Sequence, residues 1–123
     1  MKVITIVGAR PQFIKSAPVS KALQSHGYQE FVIHTGQHYD SGMSTVFFEE
    51  MGLPMPYAIL NCGNLKRDDM LTRMRNELKP LFDAIQPDIA LVYGDTNSTL
   101  AGARMAQECE IPLVHIEAGL RSY

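Results

Sequence analysis

Lys2-Val3-Ile4-Thr5-Ile6-Val7-Gly8 opens the chain, and the reading of this stretch decides the fold. Val3 to Val7 are all β-branched, a side-chain shape that suits a pleated strand and crowds a helix. The apolar residues do not alternate with polar ones, so neither face of the strand is meant for water. That is the pattern of a buried parallel strand. Gly8 ends it, and Pro11 then suits the first turn of a helix, where its missing N–H costs nothing. Phe13, Ile14, Ala17 and Leu23 continue with partly helical spacing, and Gly27 is the expected stop.

The same strand–helix unit recurs along the chain. Glu30 to Thr35 reads as a second strand, followed by a turn through Gly36 to Ser41 and a helix from Met43 to Met51 ended by Gly52. Residues 53–64 carry Pro54, Pro56, Gly63 and two asparagines and read as irregular chain, with a brief extended piece at Tyr57 to Leu60. From Asp68 to Ile85, Met70, Leu71, Met74, Leu78, Leu81, Phe82 and Ile85 recur at helical spacing. Pro80 is expected to kink that helix or split it. Asp88 to Tyr93 is a further apolar strand closed by Gly94, Thr96 to about Glu110 a helix, and Pro112 to Ile116 the next strand. Strands alternating with helices imply an α/β domain built on a doubly wound parallel sheet with right-handed crossovers.

Bulk composition narrows the partners. A chain of 123 residues holds one compact domain with a real core, and 46% hydrophobic with 20% charged residues is an ordinary globular balance. The net charge is -2 and no Lys/Arg cluster stands out, so neither nucleic acid nor an anionic membrane is favoured. Cys62 and Cys109 form no CxxC or Cys/His repeat, which argues against zinc and against a disulfide framework and suits reduced thiols in a cytoplasm. The N-terminal apolar run is too short for a membrane span and lacks a signal-peptide layout, so the mature chain is expected to start at Met1. No internal repeat, low-complexity segment or linker interrupts the βα rhythm.

Ligands of open α/β sheets bind beyond the carboxyl ends of the strands, so the residues just after each apolar run carry the chemistry. Four segments qualify: GARPQFIK from Gly8, HTGQH from His34, GDTNST from Gly94 and HIEAGLRS from His115. In the first, Gly8 and a helix start suit an anion, but neither GxxxxGK[ST] nor GxGxxG is present, so nucleoside triphosphates and dinucleotides lose support. Arg10 can fork onto a phosphate with Lys15 further along the helix; alternatively both are solvated helix residues. Asp95 has a functional use, as general base or hydroxyl anchor, and two structural ones, as a cap of the following helix or an orienter of its loop. Glu117 closes the last strand in the same fashion, and two carboxylates with separated pKa values can divide the work of acid and base. His34, His38 and Asp40 do not make a metal site, because strand geometry need not point both imidazoles at one place and no third strong ligand is near. A polar loop contacting ligand or a partner domain is the better reading of these three residues.

GARPQFIK, TGQHYD, VYGDTNSTLAG and HIEAGLRS, in this order over essentially the whole chain, resemble the successive motifs of the non-hydrolysing UDP-N-acetylglucosamine 2-epimerases. The resemblance implies the N-terminal Rossmann-like domain of a glycosyltransferase-B type architecture over residues 1–123, with a C-terminal UDP-binding domain that this chain does not contain. It implies a UDP-sugar substrate epimerised at C2 by elimination and re-addition of UDP, with no cofactor and no metal. Asp95 and Glu117 fall on the family's essential acidic positions, Arg10 and Lys15 on basic positions of the cleft. Gln37 and His38 fall in the loop that in bacterial members helps to hold a second, activating UDP-GlcNAc. A further carboxylate and a catalytic histidine are expected only downstream of Tyr123, so the chain alone is expected to bind UDP-sugars weakly and not to epimerise them; a homodimer is open. The GDTNST variant and the HYD after TGQ resemble the branch acting on diacetamido-uronic acid sugars. Two other readings remain: a nucleotide-sugar glycosyltransferase domain with the same fold, and a flavodoxin-like binding module without catalysis.

Overall fold

The computed structural model describes residues 1–38, 49–50 and 55–116, apart from the side chains of Arg10, Gln37 and His38. Its elements run β1 (Lys2–Ala9), α1 (Arg10–Ser25), β2 (Gln29–His38), β3 (Ala58–Ile59), α2 (Arg67–Ile85), β4 (Ile89–Tyr93), α3 (Asn97–Glu108) and β5 (Leu113–Ile116). The five strands form one parallel sheet in the order β3-β2-β1-β4-β5. The chain therefore winds outward from β1 to β3, returns, and winds the other way through β4 and β5. The reversal falls between β1 and β4, and a crevice opens beyond their carboxyl ends at such a point.

Strand alternation sorts the core into two layers. Ile4 and Ile6 of β1, with Ile33, Ala90 and Val92, meet Met70, Met74, Leu78 and Phe82 of α2 and Ala101 and Met105 of α3. Val3 and Val7 face the opposite way with Val32, Leu91 and Tyr93, under Phe13, Ala17 and Leu23 of α1. Each face of β1 is thus covered by helices, which explains why its sequence never alternates. Thr5 is completely buried, and its hydroxyl donates to Glu30 on the neighbouring strand. Gly102 lets α3 lie close on the sheet: a Cβ there would come within 2.8 Å of Val92 and 3.1 Å of Ile6. Cys62 and Cys109 are free thiols; the buried Cys62 donates to Glu77 at 3.2 Å, and burial, with help from that carboxylate, pushes its thiol up to about 12. Among the described residues no helix is long and apolar enough to cross a membrane.

Three expectations need correction. Of the two outcomes expected at Pro80, the split does not occur: α2 runs as one helix from Arg67 to Ile85. Pro80 and Asn76 are both exposed, so the Asn76 carbonyl that loses its intrahelical partner can be hydrated. Second, Gly36, Gln37 and His38 belong to β2 rather than to a turn. Gly36 takes a φ of +80°, the ladder shifts register between Val7 and Ala9, and Ala9 then pairs with His38. Only glycine fits there, because a Cβ would stand 2.1 Å from the Leu60 carbonyl oxygen. Third, α3 starts at Asn97 with Thr96 as its N-cap, and the helix ends at Glu108. The extended piece expected at Tyr57 to Leu60 is present as the short β3. The helix expected over Met43 to Met51 lies outside the described residues except for Glu49 and Glu50, which are helical and exposed.

Candidate functional site

Beyond β4 the chain turns through Gly94, Asp95 and Thr96, and the backbone groups of Tyr93, Gly94 and Thr96 that flank Asp95 are occupied. The Tyr93 carbonyl accepts from Gln12 Nε2 at 2.9 Å and from the Thr99 hydroxyl at 2.6 Å. Gly94, at a φ of +71°, donates its N–H to the Ile116 carbonyl at 2.9 Å, while its own carbonyl meets His115 Nε2. The Thr96 N–H donates to Thr99 Oγ1 at 3.1 Å, and the Thr99 N–H returns to Thr96 Oγ1 at 3.4 Å. This reciprocal pair is a capping box made from two threonines. Asp95 itself is exposed and enters no hydrogen bond or ion pair among the described residues. The cap reading of Asp95 is therefore wrong. Thr96 does that work and leaves the carboxylate facing solvent at the switch point.

Beyond β1 the construction differs. Ala9, the N-cap residue of α1, has no hydrogen-bonding side chain to offer, and Pro11 sits in the first turn. Gly8 donates its N–H to Gln12 Oε1 at 2.7 Å and lies against α3. A Cβ on Gly8 would be 2.1 Å from Ser98 Oγ and 3.0 Å from Thr35 Oγ1, two hydroxyls that share a hydrogen bond of 2.7 Å. The ends of β1 and β2 and the start of α3 thus meet in one buried polar knot.

Of the residues singled out in the sequence, Arg10 begins α1 directly after this knot, and the Ala9–His38 pairing brings the end of β2, with Gln37 and His38, alongside. Lys15 is exposed one turn further along α1. Glu117 lies outside the described residues; the β4–β5 ladder pairs Tyr93 with Ile116, the residues that precede the Asp95 turn and Glu117. His34 is fully buried, and its Nδ1 accepts the Gly36 N–H at 2.9 Å. It is a structural residue of the bulge, whereas the His38 side chain and Asp40 lie outside the described residues. Among the described residues no three His, Cys, Asp or Glu side chains cluster to hold a metal.

Sequence reasoning passed over Gln12, Thr99 and His115, which hold the turn around Asp95. Thr96 and Thr99 were legible in principle, as hydroxyl residues three apart just before an apolar helical run. Gln12 was not, since the carbonyl it holds is 81 residues away.

A protein-family model described as UDP-N-acetylglucosamine 2-epimerase matches residues 21–123. A UDP-N-acetylglucosamine 2-epimerase homolog of Methanococcus maripaludis is 49% identical over the whole chain, which covers 34% of that protein. The UDP-2,3-diacetamido-2,3-dideoxy-D-glucuronate 2-epimerase of Pseudomonas aeruginosa is 48% identical, again over the whole chain and 35% of the relative. Among solved structures, Methanocaldococcus jannaschii UDP-GlcNAc 2-epimerase in complex with UDP-GlcNAc and UDP superposes with a TM-score of 0.88 at 41% identity, over 99% of this chain and 34% of that one. The chain thus spans about a third of the length of the curated relatives it matches.

Proposed function

Because this chain belongs to the UDP-N-acetylglucosamine 2-epimerase family, we propose that it forms the N-terminal wall of a site that inverts C2 of a UDP-N-acetylhexosamine, closed by a C-terminal UDP-binding domain. The observation that carries this reading is the Asp95 carboxylate, exposed at the switch point and relieved of capping duty by Thr96 and Thr99. A carboxylate so placed is available for proton transfer.

In the proposed reaction one carboxylate of the pair Asp95 and Glu117 takes the C2 proton. The electrons of the C2–H bond form a C1=C2 double bond, and the C1–O bond breaks with its electron pair leaving on UDP. The other carboxyl group, in its acid form, delivers a proton to C2 of this 2-acetamidoglucal on the opposite face, and UDP adds back to C1. Electrons and protons balance without a redox partner. Arg10 and Lys15 neutralise the diphosphate as negative charge grows on it. Gln37 and His38 contact ligand at the end of β2, where bacterial family members hold an activating second UDP-sugar. The substrate is UDP-GlcNAc or a UDP-diacetamido-uronic acid. The similarity to the Pseudomonas aeruginosa enzyme supports the second as a candidate. A cytoplasmic location fits the two free thiols, Cys62 and Cys109.

One wall of a two-domain cleft cannot exclude water from the reacting carbon. The chain alone is therefore expected to bind UDP weakly and to form no epimer. Joined to the C-terminal two-thirds of the Pseudomonas aeruginosa relative, it is expected to exchange C2–H for solvent deuterium, and Asp95→Asn to slow that exchange by about a hundredfold or more. Exchange at an undiminished rate in Asp95→Asn would remove Asp95 from the chemistry. Epimer formed by the chain alone would overturn the two-wall requirement.

A further inference from the structure

We propose that Gln12 is a positioning residue which locks the turn carrying Asp95 to the turn carrying Arg10. Its relevance to catalysis rests on the function proposed above, whereas the lock itself does not. The β1–β4 ladder pairs Val3 to Ile6 with Ile89 to Val92 and then stops, because the two strands part at the switch point. Beyond it the Gln12 side chain stands in for the next peptide unit. Its Oε1 accepts from Gly8 N–H at 2.7 Å, and its Nε2 donates to the Tyr93 carbonyl at 2.9 Å and towards Thr96 Oγ1 at 3.3 Å. The amide cannot be flipped, since the Gly8 N–H requires the oxygen and the Tyr93 carbonyl requires the nitrogen.

Burial makes the bridge strong. Gln12 is only 8% exposed, so an unmet donor or acceptor there has no water to turn to. Gly94 makes room for it, because a Cβ on Gly94 would stand 3.0 Å from Gln12 Nε2. One side chain in the first turn of α1 therefore sets the distance between the start of that helix, where Arg10 sits, and the carbonyl two residues before Asp95. Proton removal from C2 needs the carboxylate placed relative to a diphosphate held by the other turn, and small misplacements cost rate steeply. Being buried beneath both turns, Gln12 acts through them without touching substrate.

The test has two independent arms. In the chain as it stands, Gln12→Met fills the same space without polar atoms. Amide hydrogen exchange at Gly8 is expected to speed up about tenfold, while Ile4 and Ile6 in the ladder stay protected. Gln12→Glu keeps an acceptor for Gly8 but sets a carboxylate against the Tyr93 carbonyl; the Tyr93–Gly94 peptide is expected to turn away, so that the Gly94 N–H loses its bond to the Ile116 carbonyl and its protection while Gly8 keeps its own. Unchanged exchange at Gly8 in Gln12→Met, or at Gly94 in Gln12→Glu, would overturn the lock. If Gln12→Met does not fold, Gln12→Glu decides. In the joined enzyme, Gln12→Met or a folded Gln12→Glu is expected to lower kcat about tenfold or more with KM changed less than about threefold, since binding residues are untouched. Wild-type kcat in these variants would overturn the positioning role. An inactive wild-type joined enzyme would instead count against the proposed function, leaving the exchange result standing.

Discussion

The two turns that flank the switch point are built in opposite ways. After β4, the polar groups around Asp95 are met from within by Thr96, Thr99, Gln12 and the β5 backbone, so α3 begins with its own cap. After β1, α1 begins at Arg10 behind Ala9, an N-cap residue that makes no side-chain cap, and has proline in its first turn. One helix is finished as a structural element; the other is held by a glutamine and a tightly packed glycine beneath it. The difference separates support from chemistry. At the β4 turn threonines carry the structure and free an acid, whereas at the β1 turn the support lies underneath and the helix start is left uncapped by side chains.

The hardest blow to this arrangement is at Gly8. A Cβ there would penetrate Ser98 Oγ at 2.1 Å and press on Thr35 Oγ1 at 3.0 Å, and neither hydroxyl can swing away without breaking their mutual hydrogen bond. Gly8→Val is expected to destabilise the fold by about 3 kcal/mol, read as a lower urea midpoint with the m-value unchanged. A loss below about 1 kcal/mol would mean that the knot beneath the β1 turn is looser than the packing indicates.

A smaller effect probes the β4 turn. Thr99→Val is close to isosteric and removes one hydroxyl that donates to the Tyr93 carbonyl and accepts from the Thr96 N–H. Tyr93 keeps Gln12 as a partner, but the Thr96 N–H is left to solvent or to nothing. About 1.5 kcal/mol of stability should go, measured in the same denaturation experiment. A neutral result would mean that the Thr99 hydroxyl adds nothing to the cap that Thr96 makes with the Thr99 N–H, and would weaken the contrast between the two turns.

The βα rhythm was legible because apolar runs closed by glycine and apolar residues at helical spacing are both local signals; β1 and β4 follow the first and the helix from Arg67 to Ile85 the second. The run from Gly36 to His38 misled, since glycine marks turns as readily as it marks a strand bulge, and the choice is made by the Leu60 carbonyl pressing on it from another part of the chain. Pro80 lies inside the helix without splitting it, because the Asn76 carbonyl that it deprives of a partner is on an exposed face and can be hydrated. In the site, the position of Asp95 could be inferred from the strand before it. Its freedom could not. A capping box is usually recognised by glutamate or glutamine at its third position, and here a second threonine takes that place.

The smallest expected effect is also the sharpest. Asp95→Ala should change stability by no more than about 0.5 kcal/mol, the ordinary range for a surface substitution. Were Asp95 the cap of α3, the same change would cost about 1 kcal/mol. One complication lies between these values: a carboxylate just ahead of a helix gains a few tenths of a kcal/mol from the helix dipole without any hydrogen bond. Salt tells the two apart. A dipole contribution from an exposed charge is screened as ionic strength rises, whereas a capping hydrogen bond persists. The expected outcome is a small loss at low salt that vanishes at high salt. A loss near 1 kcal/mol at both would give Asp95 a structural role and remove the main support for its part in proton transfer.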